Sequence, residues 1–281
     1  METYYKNINE SISYSHVRID KPLQTDFHLH DFFEIYFFIS GHVNYFVEKK
    51  VYTLHNGDLL LMNNHEIHKP SFSPGEPYER IVVHFNAAIP QALSSPSFNL
   101  LNCFTNRPTG EKNLISLTTK QSDEIQKLFS KMEVLRDETS NGSDVLKLAI
   151  FLELLVYINR VFSSTLPPEG ELPNATKKLM PVLDYIDSNP DTDLSLEFLE
   201  RYFYINRFHL SRLFKQVTNS SLHEYILYKR ISKAKRLLSD GCNVTEACTK
   251  SGFNDYSNFL RMFKRTVGIS PGQYRKSGVP L

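Results

Sequence analysis

Two rhythms of apolar residues divide the chain. From Phe27 to His84 they come in short runs of β character. Phe32–Ile39 is aromatic and β-branched, Gly41-His42 breaks it, and Val43–Val47 resumes it. Val51–Leu54 follows, then His55-Asn-Gly-Asp58 turns into Leu59–Met62, and Arg80–Phe85 is a further strand. Short strands with turn signals about every 8–12 residues predict a sandwich or barrel. No stretch between them has the length and phase of a crossover helix, which argues against parallel winding.

After about residue 118 the period becomes helical. Ser122–Arg136 places Ile125, Leu128, Phe129 and Met132 on one face, and Asp144–Phe162 is apolar around much of its girth. A helix that apolar needs cover, from the barrel or from a second chain. Residues 163–175 are rich in Pro and polar residues without periodicity and read as a linker. Beyond it the pattern is all helical. Lys177–Ser188 stops before Pro190; Ser195 caps Leu196–Phe203, Asn206 caps Arg207–Val217, and Ser221 caps a long helix to about Ser239. Val244–Ser251 and Tyr256–Thr266 follow, the latter capped by Asp255, and Ser270-Pro271 opens a last short helix. The fold class is α+β: residues 1–162 form a barrel with dimerisation helices, 163–176 a linker, and 177–281 an all-helical domain.

Charge sharpens this division. The formal net charge of the 281 residues is +1. Residues 195–281 nevertheless hold 15 Lys and Arg against 6 Asp and Glu, and residues 1–194 hold 17 against 25. A basic third beside an acidic remainder implies a polyanionic partner for that third alone. Three cysteines without a Cys-x-x-Cys pair exclude a disulfide framework and a thiolate zinc finger. With no apolar signal core at the N-terminus and no membrane span, the expectation is a reduced, soluble, cytoplasmic protein.

The basic third reads as two helix-turn-helix units joined by the long helix. On the first candidate reader, Leu210, Leu213, Phe214 and Val217 form the apolar stripe, while Arg207, Phe208, Ser211, Arg212 and Lys215 lie opposite. On the second, Phe259, Met262 and Phe263 face inward, and Tyr256, Ser257, Leu260, Arg261 and Lys264 face out. A helix fits the major groove of B-DNA, where Arg reads guanine and Lys neutralises phosphate. A joining helix over Leu222–Leu238 is about 26 Å long at 1.5 Å per residue. Its ends would hold two readers close to one DNA turn apart, roughly 34 Å. A solvated basic face on a structural bundle is the plainer reading, and the duplicated geometry speaks against it.

Residues 178–276 resemble the DNA-binding domain of the AraC/XylS family of transcriptional regulators. The likeness rests on Asn206–Lys215, on Tyr225–Leu238 with Arg230, Ala234 and Leu237, on Gly252–Phe259, on Phe263-Lys264 and on Gly268–Arg275. The resemblance implies sequence-specific binding at promoters, activation through RNA polymerase, and control by a small molecule. The sequence departs from the pattern where small alanines are usual, at Glu200 and Cys248, and where larger apolar residues are usual, at Ala247 and Ser251. A buried unpaired carboxylate is costly, so Glu200 should tilt out or find a partner. The second unit is expected to pack more loosely.

His28-x-His30-x-x-x-Glu34 with Gly41 matches the first metal motif of cupins, and Gly57–His68 resembles the second half, with His68 at the ligand position. Neutral imidazoles and a carboxylate suit zinc, iron or manganese. The N-terminal part also resembles AraC-family sensor domains, which often keep such residues as plain pocket lining. The expectation is therefore a cofactor-free effector pocket built from His28, His30, Glu34, Tyr36 and His68. His28, His30, Glu34 and His68 are the candidates should a metal be present. His65, His84, Tyr45 and Arg80 are further candidates for the pocket that the pattern does not phase. A sugar stacked on Phe and Tyr faces is one suitable effector. The reading is a homodimeric, ligand-controlled transcriptional activator; the alternative is a metal-dependent cupin enzyme with a passenger helical domain.

Overall fold

The computed structural model describes residues 3–7, 12–73, 75–164 and 174–277. The linker expected over 163–176 lies largely outside them. The strands are β1 (Thr3–Asn7), β2 (Ile12–Ile19), β3 (Phe33–Ser40), β4 (Val43–Val47), β5 (Lys50–Thr53), β6 (Leu59–Met62), β7 (His68–Phe72), β8 (Tyr78–Phe85) and β9 (Leu114–Ile115). Short helices α1 (Ala88–Leu93) and α2 (Asn102–Thr105) precede β9, and α3 (Thr119–Leu135) and α4 (Ser143–Ser164) follow it. The helical region holds α5 (Asn174–Ser188), α6 (Leu196–Phe203), α7 (Arg207–Thr218), α8 (Leu222–Ser239), α9 (Val244–Lys250), α10 (Tyr256–Val267) and α11 (Pro271–Ser277).

All strand pairings among the described residues are antiparallel. One sheet runs β1-β2-β8-β3-β6-β9 and the other β5-β4-β7. The expected barrel thus takes the form of two facing sheets, without a continuous ladder around both among the described residues. Alternation along β3 explains the layering. Tyr36 and Phe38 point between the sheets, with Tyr45, Met62, Tyr78 and Val82. Phe33, Ile35 and Phe37 point to the other face, which α3 and α4 cover through Phe129, Phe151, Leu154, Leu155 and Ile158. The apolar girth of α4 is therefore largely covered from within the chain, although Val145 and Leu146 near its start stay exposed.

The helical region forms as its caps dictate. The side chains of Ser195, Asn206, Ser221 and Asp255 each accept from backbone N–H groups of the first turn that follows. The joining helix α8 has 18 residues and is about 27 Å long. Arg230 ties it to the α5–α6 loop, donating to the carbonyls of Pro190 and Thr192 at 2.9 and 3.1 Å. Gly252, at φ +91°, passes under that loop so closely that a Cβ would lie 2.6 Å from the Pro190 oxygen. Gly252→Ala is expected to cost about 1–3 kcal/mol from the backbone conformation alone, before the clash is counted; a denaturant midpoint checks it.

The two parts share an apolar core. Phe27, Leu29, Phe46 and Ile67 of the β-part pack among Phe214, Tyr225 and Tyr228 of the helical part. Polar contacts frame this seam. Lys229 Nζ lies 2.6 Å from Glu48 Oε2, and Lys235 Nζ lies 2.6 Å from Asp31 Oδ1. Lys69 donates to the Asn219 carbonyl and to the Ser220 hydroxyl.

Candidate nucleic-acid interface and ligand pocket

The two candidate readers, α7 and α10, turn most of their basic residues to solvent. On α7, Phe208, Arg212 and Lys215 are exposed, while Arg207 and Ser211 are half-buried and Leu210, Leu213 and Phe214 are buried. The Asn206 carboxamide oxygen accepts from the Phe208 and His209 N–H groups, which fixes where the helix begins and so which residues face out. Arg207 pairs with Glu197 and lies 5.2 Å from the centroid of the Phe208 ring. On α10, Tyr256, Ser257, Arg261 and Lys264 are exposed. Leu260, placed on the outer face by periodicity, is half-buried and packs on the core. The sequence reading omitted His209 and Gln216, both exposed on α7; their polar spacing along the same face was the signal.

The other site lies between the sheets. A cavity of about 330 Å³ is lined by His28, His30, Glu34 and Tyr36, and also by Tyr45, Arg80 and His84. Ser15, Thr25 and Tyr78 line it as well, and sequence reasoning missed them. His68, also expected in the lining, is not among the residues that line the cavity; it is fully buried, with Nε2 3.4 Å from Glu34 Oε2. His65 does not line the cavity; its carbonyl instead accepts from Ser232 on α8 at 3.5 Å. The Tyr36 and Tyr78 hydroxyls are 2.7 Å apart.

Charge in this cavity centres on Glu34. Burial alone would raise its carboxyl, but His84, His30 and His68 outweigh burial and hold it well below the usual carboxylate range. Burial drives His28 down to about 3, with His68 adding to the effect, and also lowers His30. The cavity therefore combines an ionised carboxylate, neutral His28 and His30 rings, and tyrosine hydroxyls. Such a set bonds a polyhydroxylated or otherwise polar molecule from several sides.

Residues 199–277 match a family model described as a helix-turn-helix domain, and residues 15–155, half of the chain, match one described as an AraC-like ligand binding domain. The chain belongs to the AraC family of transcriptional regulators. It is 24% identical over 249 residues to the HTH-type transcriptional activator RhaR of Mannheimia succiniciproducens, covering 88% of this chain and 86% of that protein. The HTH-type transcriptional activator Btr of Bacillus subtilis is 27% identical over 194 residues, 69% of this chain but 36% of its own length. A crystal structure of ToxT from Vibrio cholerae, 17% identical, covers 95% of this chain and 98% of that one with a TM-score of 0.41. The protein is thus a DNA-binding transcriptional regulator with a ligand-binding domain, and the enzyme alternative falls away.

As an AraC-family chain it accommodates its departures from the family pattern locally. Glu200 is paired, as expected: its carboxylate accepts from the Asn206 side chain at 3.3 Å and the Arg207 N–H at 3.2 Å, bracing the start of α7. Ala247, Cys248 and Ser251 are all buried, and the Ser251 hydroxyl donates to the Cys248 carbonyl at 3.0 Å.

Proposed function

We propose that this AraC-family regulator activates transcription as a cytoplasmic homodimer whose DNA grip is set by a small polar molecule, such as a sugar, held in the cavity between the sheets. Residues 1–162 sense and dimerise, 163–176 connect, and 177–281 bind promoter DNA and meet RNA polymerase. Arg207, Phe208, Ser211, Arg212 and Lys215 read one groove; Tyr256, Ser257, Leu260, Arg261 and Lys264 read the next. His28, His30, Glu34, Tyr36 and His68 hold the effector. The observation that carries this reading is the outward basic face of both α7 and α10 at the two ends of one rigid helix. Exposed Val134, Val145 and Leu146 on α3 and α4 support the dimer. No helix among the described residues is long and apolar enough to cross a membrane.

The segment Phe27–Asp31 supports coupling between the sites. Its even residues, His28 and His30, line the cavity. Its odd residues serve the helical part: Phe27 meets the Tyr225 and Tyr228 rings at 5.9 and 5.7 Å, and Asp31 pairs with Lys235. One short stretch is thus a wall of the pocket on one face and of the domain seam on the other, so a ligand that moves the histidines moves the seam.

The test is binding of full-length protein to sequences selected from random duplex. Arg212→Ala is expected to cost about 1–3 kcal/mol and relax preference at one base pair. Lys215→Ala should weaken all sequences alike and lower the salt slope by about 1. Unchanged affinity and preference in Arg212→Ala would show that α7 is not a reader.

A further inference from the structure

A second cavity, of about 380 Å³, lies on the other face of the large sheet, beneath α3. Register and alternation build its floor. His16 pairs with Ile81 and Ile81 with Phe37, so the three form one row across β2, β8 and β3. Tyr14, two residues from His16, points the same way. The roof is one face of α3, with Phe129, Ser130, Glu133 and Val134 within two turns. The Phe129 ring lies 5.4 Å from that of Phe37 and 6.3 Å from that of Tyr14, centroid to centroid. Among these rings one polar atom has no partner. Glu133 is half-buried, but its Oε2 is covered and makes no hydrogen bond. Its other oxygen accepts from Arg136, whose Nε reaches Asp137 at 3.2 Å. The neighbouring donors are spent elsewhere: Gln126 Nε2 on Ser122, and the Ser130 hydroxyl on the Gln126 carbonyl. At the far end, His16 Nε2 sits 2.9 Å from Glu79 Oε1. Burial and then the Glu133 charge raise the Tyr14 phenol, so the negative field of the carboxylate reaches the floor. A covered carboxylate oxygen without a donor is costly, and a donor carried by a bound molecule removes that cost.

We propose that this cavity binds a small molecule with an apolar, ring-sized body and a primary ammonium group, the ammonium donating to Glu133 Oε2. Three observations set that class. A carboxylate oxygen only accepts, so the group that meets it must donate. The field there is negative, so a cation is favoured over a neutral hydroxyl and an anion is repelled. The Tyr14, Phe37 and Phe129 rings bury an apolar body and offer their faces to a cation. The volume lies in the range of small-ligand pockets. A sugar, with hydroxyls on every side, would lose its water against these rings without finding partners. This ligand therefore differs in kind from the polar effector between the sheets, and it sits on the opposite face of β2, β3 and β8. Occupied, the cavity joins α3 to the sheet through Glu133, beside the exposed Val134. The proposal does not depend on the effector's identity or on the sign of regulation.

The test titrates full-length protein with phenethylamine, followed by calorimetry and by saturation-transfer NMR. One equivalent is expected to bind, with transfer to the ring protons, and to raise the thermal midpoint. Phenethyl alcohol should bind roughly tenfold more weakly, the factor expected for a charged hydrogen bond, and hydrocinnamate not measurably. The near-isosteric Glu133→Gln should weaken the amine by a similar factor of roughly ten. Ser130→Phe, which fills the cavity from an exposed position on α3, should abolish binding. Glu34→Gln, in the cavity between the sheets, should keep it within about threefold. Circular dichroism and melting of the ligand-free variants confirm that they fold; should Ser130→Phe not fold, Glu133→Gln alone decides. No saturable binding, an affinity unchanged in Glu133→Gln, equal affinity for the anion, or binding lost with Glu34 but not with Glu133, each overturns the proposal.

Discussion

Glu66→Ala is expected to destabilise the β-domain by about 3–5 kcal/mol, the range for removing one member of a buried ion pair. Glu66 and Arg107 are both fully buried at the side chain. Arg107 grips the carboxylate with both terminal nitrogens, at 2.6 and 2.7 Å. Glu66 also accepts from the N–H of Gly110 at 2.7 Å, the N–H of Asn63 at 3.0 Å and the Asn113 side chain at 3.0 Å. Arg107 spends its other donors on the carbonyls of Cys103, Glu111 and Leu61. Truncating the acid leaves a guanidinium dry and unpaired beneath the segment that ends in His68. Thermal unfolding should read this as a midpoint lower by roughly 10 °C. The double variant Glu66→Leu/Arg107→Met should lose much less than Glu66→Ala, because no charge is stranded. A loss below about 1 kcal/mol for Glu66→Ala would contradict the burial described.

Lys229→Met is expected to loosen the seam between the domains by a similar 3–5 kcal/mol. Glu48 is fully buried there, and its second oxygen accepts from the Ile67 N–H at 2.9 Å. Burial pushes its carboxyl up, opposed by Lys229. Without the ammonium, the buried carboxylate must take up a proton or pull the seam open. The expected result is a single cooperative melt that splits into two transitions, one for each domain. Adding Glu48→Gln should restore most of the cooperativity by removing the stranded charge while keeping the Ile67 bond. A melt of Lys229→Met that stays single and unshifted would show that the seam does not depend on this pair.

Local signals carried the helical region far. The four side-chain caps at Ser195, Asn206, Ser221 and Asp255 were readable because each needs only a polar residue before an apolar period, and every one forms its bond. Strand β7 escaped notice because His-Lys-Pro-Ser-Phe lacks β pattern; it is tolerated as an edge strand, where a missing proline N–H costs nothing. β2 was missed because its buried and open positions do not alternate cleanly. In the cavity, the residues spaced within one motif were legible. His84 could not be phased, because its place beside Glu34 comes from the β3–β8 register, in which the two residues pair across strands about 50 positions apart.

The chain's own order of residues decided that a β-rich acidic part precedes a basic helical part, that the capped helices α7 and α10 flank one long helix, and which side of each is charged. These are properties of near neighbours, set by periodicity and by side chains reaching backbone a few positions away. The tertiary structure alone decided that Phe27–Asp31 serves the cavity and the seam at once, that Glu66 and Arg107 share a dry site, and that three imidazoles meet at one oxygen. Such contacts depend on how distant segments are brought into register, and register follows from burying whole faces together rather than from any local signal.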